Sequence, residues 1–206
     1  MANKPELLVT VYSDFICPFC YVGYSRLTRL RDEYELKVNW RYIEIHPDTP
    51  AEGQSVDALG YVPEQWKKMM DGLGEMAKED GIIIGDHRMT TNSHSALLLA
   101  EAAKEEGMEV FYALNEKLYV SWFGEGKNIG DRAVLEVIAT QSGVSNKTVE
   151  RAWQDGKYEE VLNKNLINAV SLNVTGTPTF FFGETKLTGA VPESTLREAA
   201  NTAAMS

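Results

Sequence analysis

The stretch Ser13-Asp14-Phe15-Ile16-Cys17-Pro18-Phe19-Cys20 decides the fold of this chain, and it holds the only two cysteines among 206 residues. It follows a short apolar run, Leu7 to Tyr12. It precedes a segment in which Cys20, Tyr24, Leu27, Leu30 and Tyr34 recur at helical spacing. In a helix, residues i and i+3 share a face, with Cα atoms roughly 5 Å apart, inside the usual disulfide window. Pro18 suits the first helical position, where its missing N–H leaves no bond unmade. Cys17 then stands at a helix N-terminus, where free N–H groups and the positive end of the dipole favour a thiolate. Cys20 falls one turn further in, on the apolar stripe. The expectation is that Cys17 is exposed and attacks, and that Cys20 is sheltered and resolves.

Two other readings of the pair carry less. A structural disulfide closing so small a loop constrains the unfolded chain very little. Half of a zinc site lacks a second cysteine pair, and its remaining ligands would have to come from His46, His87 or His94, which show no metal spacing. No metal and no cofactor are expected.

The chain is long enough for a substantial core, with 44% hydrophobic and 24% charged residues. A net charge of −10 argues against a nucleic-acid partner or an anionic membrane surface, both of which need clustered Lys and Arg. No apolar run approaches the roughly 20 residues that span a bilayer. The opening Met1-Ala2-Asn3-Lys4-Pro5-Glu6 lacks a basic segment followed by an apolar one, so a cytosolic protein is expected. That compartment keeps most thiols reduced, and a lone CxxC there is more often catalytic than structural.

Leu7 to Tyr12 reads as a strand buried on both faces, and Lys37 to Ile45, rich in Val, Trp, Tyr and Ile, as a second strand. Strand, helix and strand make a βαβ unit with parallel strands. After the proline-bearing loop from His46 to Gly53, helical patterns run for about 110 residues with loops of ordinary length. They include Pro63 to Lys78, Ser93 to Glu106, Val110 to Trp122, a helix capped by Asp131, another capped by Ser145, and Tyr158 to Val170. The period then changes. Thr179-Phe180-Phe181-Phe182, a tight turn at Gly183-Glu184 and Lys186-Leu187-Thr188 read as a hairpin, and Pro192 opens a last helix. The βαβ half and the hairpin half can form one mixed sheet with the helical block inserted between them.

With these elements in place, the chain resembles the thioredoxin superfamily, and within it the DsbA-like oxidoreductases of the FrnE type. Val11 to Gly23, around Cys17-Pro18-Phe19-Cys20, carries the most specific likeness, with Phe19 where the family often has Trp. Phe123-Gly124-Glu125-Gly126-Lys127-Asn128-Ile129-Gly130-Asp131 resembles a motif of the family's helical insertion. Val174-Thr175-Gly176-Thr177-Pro178-Thr179-Phe180 resembles the loop whose cis-proline faces the CxxC, and Thr188-Gly189-Ala190-Val191-Pro192 resembles the closing turn, with Val191 for a usual Gln. The resemblance implies an α/β, thioredoxin-like fold made of residues 1–50 and 166–206, with a helical insertion over 51–165. It implies thiol–disulfide exchange by Cys17 and Cys20 on protein thiols or disulfides, with glutathione a further candidate partner. It also implies that Pro18, Phe19, Thr177 and Pro178 contact substrate. Two alternatives stay open: a glutathione-dependent isomerase or transferase of the kappa or 2-hydroxychromene-2-carboxylate isomerase type, which typically has Ser in place of Cys17, and a non-catalytic, chaperone-like interaction module.

His46 follows the second strand of the βαβ unit, at the edge where Cys17 follows the first, so a protonated His46 is a candidate modulator of the thiolate. Asp14 reads more readily as a solvated loop residue, although a carboxylate so near would raise the Cys17 pKa. His87 and His94 read as ordinary histidines. The Met-rich stripe from Met69 to Met76 reads as core. The glycines of 124–130 do not form a dinucleotide fingerprint, because the last spacing is one residue too long and no strand precedes them.

Overall fold

The computed structural model describes residues 4–85 and 88–204. Strand β1 (Glu6–Ser13) pairs in parallel with β2 (Glu35–Tyr42), from Glu6 opposite Glu35 to Ser13 opposite Tyr42. Helix α1 (Pro18–Thr28) makes the crossover between them. On its other side β1 pairs antiparallel with β5 (Thr179–Phe182), which turns at Gly183-Glu184 into β6 (Thr185–Thr188). Gly183 takes φ 57°, as a two-residue hairpin turn requires. The sheet order is β2-β1-β5-β6. Helix α8 (Glu193–Ala204) follows the hairpin and packs on α1 and β1.

The insertion opens with β3 (Gln54–Ser55) and α2 (Pro63–Asp80), and β4 (Met89–Thr90) returns to pair antiparallel with β3. This two-stranded ribbon corrects the reading of the insertion as helical throughout. Strands of two residues are too short to leave an alternating pattern. Then come α3 (His94–Ala103), α4 (Met108–Tyr119) running into a π turn at Val120–Gly124, α5 (Arg132–Gln141), α6 (Asn146–Gln154) and α7 (Gly156–Ser171). Side chains of Asp131, Ser145 and Asp155 accept backbone N–H bonds at the starts of α5, α6 and α7, so local chemistry sets these boundaries.

One apolar core runs without a break from Leu7 and Val9 through Leu97 and Leu99 to Phe180 and Leu196. Helix α3 is buried from Ala96 to Ala103, which explains its Leu- and Ala-rich composition. Asn128 ties the insertion together. Its Nδ2 donates to the Ala51 carbonyl at 2.7 Å and its Oδ1 accepts from Gly130 N at 2.9 Å. A side chain at Gly130 would collide with Thr91 and Ala51, so the motif seen at 123–131 is a structural clasp.

Two local expectations change. Strand β1 is buried on both faces only at its C-terminal end, since Leu8 is 62% exposed and burial alternates up to Val11. The second face is covered where Tyr12 meets Phe181 edge-on at 6.0 Å. Arg26, placed by the helical pattern off the apolar stripe, is buried. Its Nε donates to Asp80 at 2.7 Å, and its Nη1 donates to the carbonyls of Ala190 and Val191 at 3.0 Å each. Arg29 reaches the same Asp80 at 2.7 Å and Glu193 at 2.9 Å. The C-terminal end of α2 is thus bolted to α1 and to the turn before α8. Because Asp80 is the buried counter-charge of a buried Arg26, Asp80→Ala should cost about 3–5 kcal/mol in denaturant unfolding.

Candidate active site

The site grows from the end of β1. Ser13 is its last residue, and the loop Asp14-Phe15-Ile16 that follows is buried. The Phe15 ring packs between Tyr42 and Tyr119, with centroids 5.0 Å away in both cases. Asp14 uses both carboxylate oxygens, accepting from Ile45 N at 2.9 Å and from Ile16 N at 3.3 Å. The loop therefore turns back sharply, and Cys17 N donates to the Asp14 carbonyl at 3.3 Å. Cys17 is the N-cap of α1, with Pro18 at the first helical position. Cys20 N donates to the Cys17 carbonyl at 3.0 Å, closing the first turn between the two cysteines.

Both thiols are free and both are buried, Cys17 at 5% exposure and Cys20 at 1%. This corrects the expectation of an exposed Cys17: residues of α2 and of the loop before it line the cavity in which Cys17 lies. The Cys17 thiol donates to the Thr177 carbonyl at 3.4 Å. The Thr177–Pro178 bond is cis, and Pro178 O accepts from Gly189 N at 2.7 Å. Gly23 lets this loop approach, since a Cβ there would lie 2.9 Å from both Pro178 and Phe180. Cys17, Pro18, Phe19, His46 and Thr177 all line one cavity of about 1400 Å³, and Pro178 is buried behind it. Trp66, Met69, Met70 and Leu73 of α2 also line this cavity, so of the methionines read as core Met69 and Met70 border it, while Met76, like Met70, packs against Val22 and Leu73 as expected.

The two thiols differ electrostatically. The hydrogen bond from the Cys20 thiol holds the Cys17 pKa below its ordinary value. Burial opposes this, and the negative charge of Asp14 pushes the same way as burial. Burial lifts Cys20 well above the ordinary thiol range, and the Cys17 charge lifts it further. When the pair loses a proton, the charge therefore rests on Cys17 and the remaining proton on Cys20. His46 has its ring nitrogen 3.4 Å from the Tyr61 hydroxyl, and burial lowers its pKa, so it is neutral at pH 7 and offers the thiolate no positive charge there. His94 lies between Glu44 at 2.7 Å and Glu159 at 2.9 Å. His87 lies outside the described residues.

Sequence reasoning misplaced one residue of this site and missed two others. Asp14 is not solvated but wholly buried, and burial raises its pKa to about 6 from 3.8. The signal available was its place between a buried strand and the helix start. Ser13 and Tyr119, 106 positions apart and hydrogen-bonded at 2.8 Å, left no local signal. Because the folded protein holds the Asp14 proton more tightly than the unfolded chain does, the stabilisation is full below pH ~4 and is lost as pH rises through about 6. The shift of about two pH units corresponds to roughly 3 kcal/mol. Asp14→Asn should remove that slope from the pH dependence of unfolding and move the alkylation profile of Cys17 to lower pH.

Comparison with known proteins agrees with this architecture. In fold, the chain is similar to a probable DsbA oxidoreductase from Streptomyces coelicolor, at 24% identity and a TM-score of 0.84 over 96% of this chain and 90% of that one. It is similar to a putative protein disulfide isomerase from Nitrosomonas europaea, at 15% identity and a TM-score of 0.75 over 97% of each chain. A 2-hydroxychromene-2-carboxylate isomerase also matches, at 20% identity and a TM-score of 0.75 over 95% of each chain. In sequence, the Bacillus subtilis protein YwbO, itself uncharacterised, is 23% identical over 93% of this chain and 94% of its own. The model of the DSBA-like thioredoxin domain matches residues 8–201, and with a match over nearly its whole length this chain belongs to the DSBA-like thioredoxin domain family.

Proposed function

We propose that this chain is a thiol–disulfide oxidoreductase in which Cys17 is the nucleophile and Cys20 the resolving thiol. The observation that carries the reading is the pair of free thiols on the first turn of α1, with Cys17 against the carbonyl of Thr177, and their surroundings push the two pKa values in opposite directions. A thiolate attacks a disulfide, and a thiol held protonated until a mixed disulfide forms can then displace the partner. In that sequence Cys17 takes one sulfur of the substrate and releases the other as a thiolate. Cys20 then attacks Cys17 Sγ, the mixed disulfide breaks, and the Cys20 proton leaves with the second substrate sulfur. The reverse sequence oxidises a dithiol.

Protein substrates fit the cavity better than a single small molecule. At about 1400 Å³ it exceeds the ~300–1,000 Å³ of ordinary small-ligand pockets, and Trp66, Met70, Leu73 and Phe123 give it adaptable apolar walls. The partners proposed are protein segments that carry a thiol or disulfide beside apolar side chains. Among the described residues no helix is long and apolar enough to cross a membrane. Glutathione-dependent isomerisation is the rival reading, since an isomerase shares the fold. Two thiols, one of them poised to resolve the other, weigh against it. Conjugating or isomerising activity that survives Cys20→Ser would favour it.

Non-reducing gels separate the two cysteines. Cys17→Ser should lose reduction of a model protein disulfide and capture few partners. Cys20→Ser should accumulate higher-mass adducts that dithiothreitol removes. Equal trapping by both variants would undo the assignment. Trp66→Ala should lower turnover of a protein disulfide about tenfold while leaving a small aromatic disulfide little changed, because only the larger substrate reaches the α2 wall.

A further inference from the structure

Tyr61 stands at the exposed border of the Cys17 cavity, and none of the exchange steps above uses it. The turn Val56–Leu59 ends at Gly60, whose φ of 72° reverses the chain, and Pro63 opens α2. Tyr61 therefore directly precedes the N-cap residue Val62, and Trp66 is the fourth residue of the helix. Apolar side chains at these two positions often pack together and fix the angle at which a chain enters a helix. Here the rings of Tyr61 and Trp66 stack with centroids 5.1 Å apart and 29° between their planes. That staple accounts for one face of Tyr61. At the tip of the ring the hydroxyl meets Nε2 of His46 at 3.4 Å, and the two rings stand at 83° to each other. His46 thus touches the end of the Tyr61 ring and leaves its second face uncovered. Among the described residues no other ring lies against it, and the residue is 45% exposed.

Given the role proposed above for Cys17, we propose that Tyr61 is a specificity-determining residue: the preferred substrate is a neutral or acidic polypeptide segment with an aromatic side chain within three residues of its reacting cysteine. The incoming ring stacks on the open face of Tyr61 while the cysteine sulfur meets Cys17. Burial raises the Tyr61 pKa and the charge of Cys17 raises it further, so the two are near neighbours. Three extended residues span roughly 10 Å, which gives a peptide the reach to touch both. The platform is preset, because the Trp66 stack and the His46 contact already hold the ring, so little freedom is lost on docking. Ile83 and Met89, 74% and 49% exposed, line the same cavity and extend its apolar border. The charge there differs from the rest of the chain. Among the described residues lining the cavity, Lys67, Lys78 and Arg88 outnumber Asp57 and Asp71, in a chain with 20 basic and 30 acidic residues. A neutral or acidic segment therefore escapes the repulsion it meets elsewhere on this protein.

Competition between peptides reads the preference directly. Each peptide holds one cysteine as a mixed disulfide with 2-mercaptoethanol, and a set carries tryptophan, leucine, glutamate or lysine at each position within three residues of that cysteine. Reduced protein is added to equal mixtures in less than stoichiometric amount, and the peptides consumed are counted by mass, which gives ratios of kcat/KM. At its best position the tryptophan peptide should be consumed roughly three- to tenfold faster than the leucine peptide, the factor expected of one stacked aromatic pair. Tyr61→Ala should bring that ratio below about twofold, and Tyr61→Leu, which keeps apolar bulk without a ring face, should do the same. Tyr61→Phe, which loses only the hydroxyl, should retain most of the preference. The glutamate peptide should be consumed faster than the lysine peptide. A tryptophan-to-leucine ratio near one in the parent, or a preference that persists in either Tyr61→Ala or Tyr61→Leu, would overturn the inference. A lysine peptide consumed faster than its glutamate counterpart would overturn the charge assigned to the segment. A parent protein that consumes no peptide at all would instead sink the oxidoreductase reading on which the inference rests.

Discussion

The fold turns on Tyr119. This side chain comes from the helical insertion, yet it sits under the first turn of α1 among Phe15, Tyr21 and Tyr24, with its hydroxyl on Ser13 of β1. The thioredoxin-like part alone would leave the underside of its active-site turn as a hollow, and an apolar hollow of that size costs several kcal/mol. The insertion fills it with a side chain that also pairs with a buried serine. The two parts of the chain therefore share one core. A second fastening, Asp80 on Arg26 and Arg29, holds α2 at the other end of α1. Between these two points the insertion spans the cavity that Cys17 lines.

The rest of the site follows from that enclosure. An N-capping cysteine at the surface would meet water on one side, and the helix dipole would be screened. Here Cys17 is 5% exposed, so each hydrogen bond to its sulfur counts for more, and so does the Asp14 charge that opposes it. Desolvation alone would raise both thiols. It does so for Cys20, whereas at Cys17 the donation from Cys20 outweighs it. The asymmetry of the pair comes less from exposure, as the sequence suggested, than from the order in which two buried sulfurs share one proton.

What was legible in the sequence was whatever local chemistry decides. Pro18 after Cys17 marked the helix start. Asp131 and Ser145 marked two more, and the βαβ and hairpin patterns pointed to one mixed sheet, which the structure forms. What escaped depends on partners far away along the chain. Asp14 looks like a loop carboxylate until Ile45, 31 positions on, donates to it. Arg26 looks like a polar-face residue until Asp80, 54 positions on, meets it. Tyr119 lies in an ordinary amphipathic helix, and nothing within one helical turn says that its hydroxyl ends on Ser13 of β1. Which helix borders the Cys17 cavity was not legible either: α2 does, and its pattern reports an apolar face without reporting what that face covers.

For the exchange chemistry proposed, these contacts set the couple's poise by competition. Whatever stabilises the Cys17 thiolate favours the dithiol form and makes the disulfide a stronger oxidant. The donations from Cys20 and from the Thr177 side chain act in that direction, and ionised Asp14 acts against them. Asp14 titrates near pH 6, and an ionised Asp14 raises the energy of the thiolate beside it. The opposition is therefore strongest at neutral pH and fades in acid. An acidic medium removes the opposing charge, so below about pH 6 a Cys17 thiolate has one negative neighbour fewer. A buried carboxylate beside a redox sulfur thus ties the stability of its thiolate to pH, which neither the cysteine spacing nor the helix dipole would do alone.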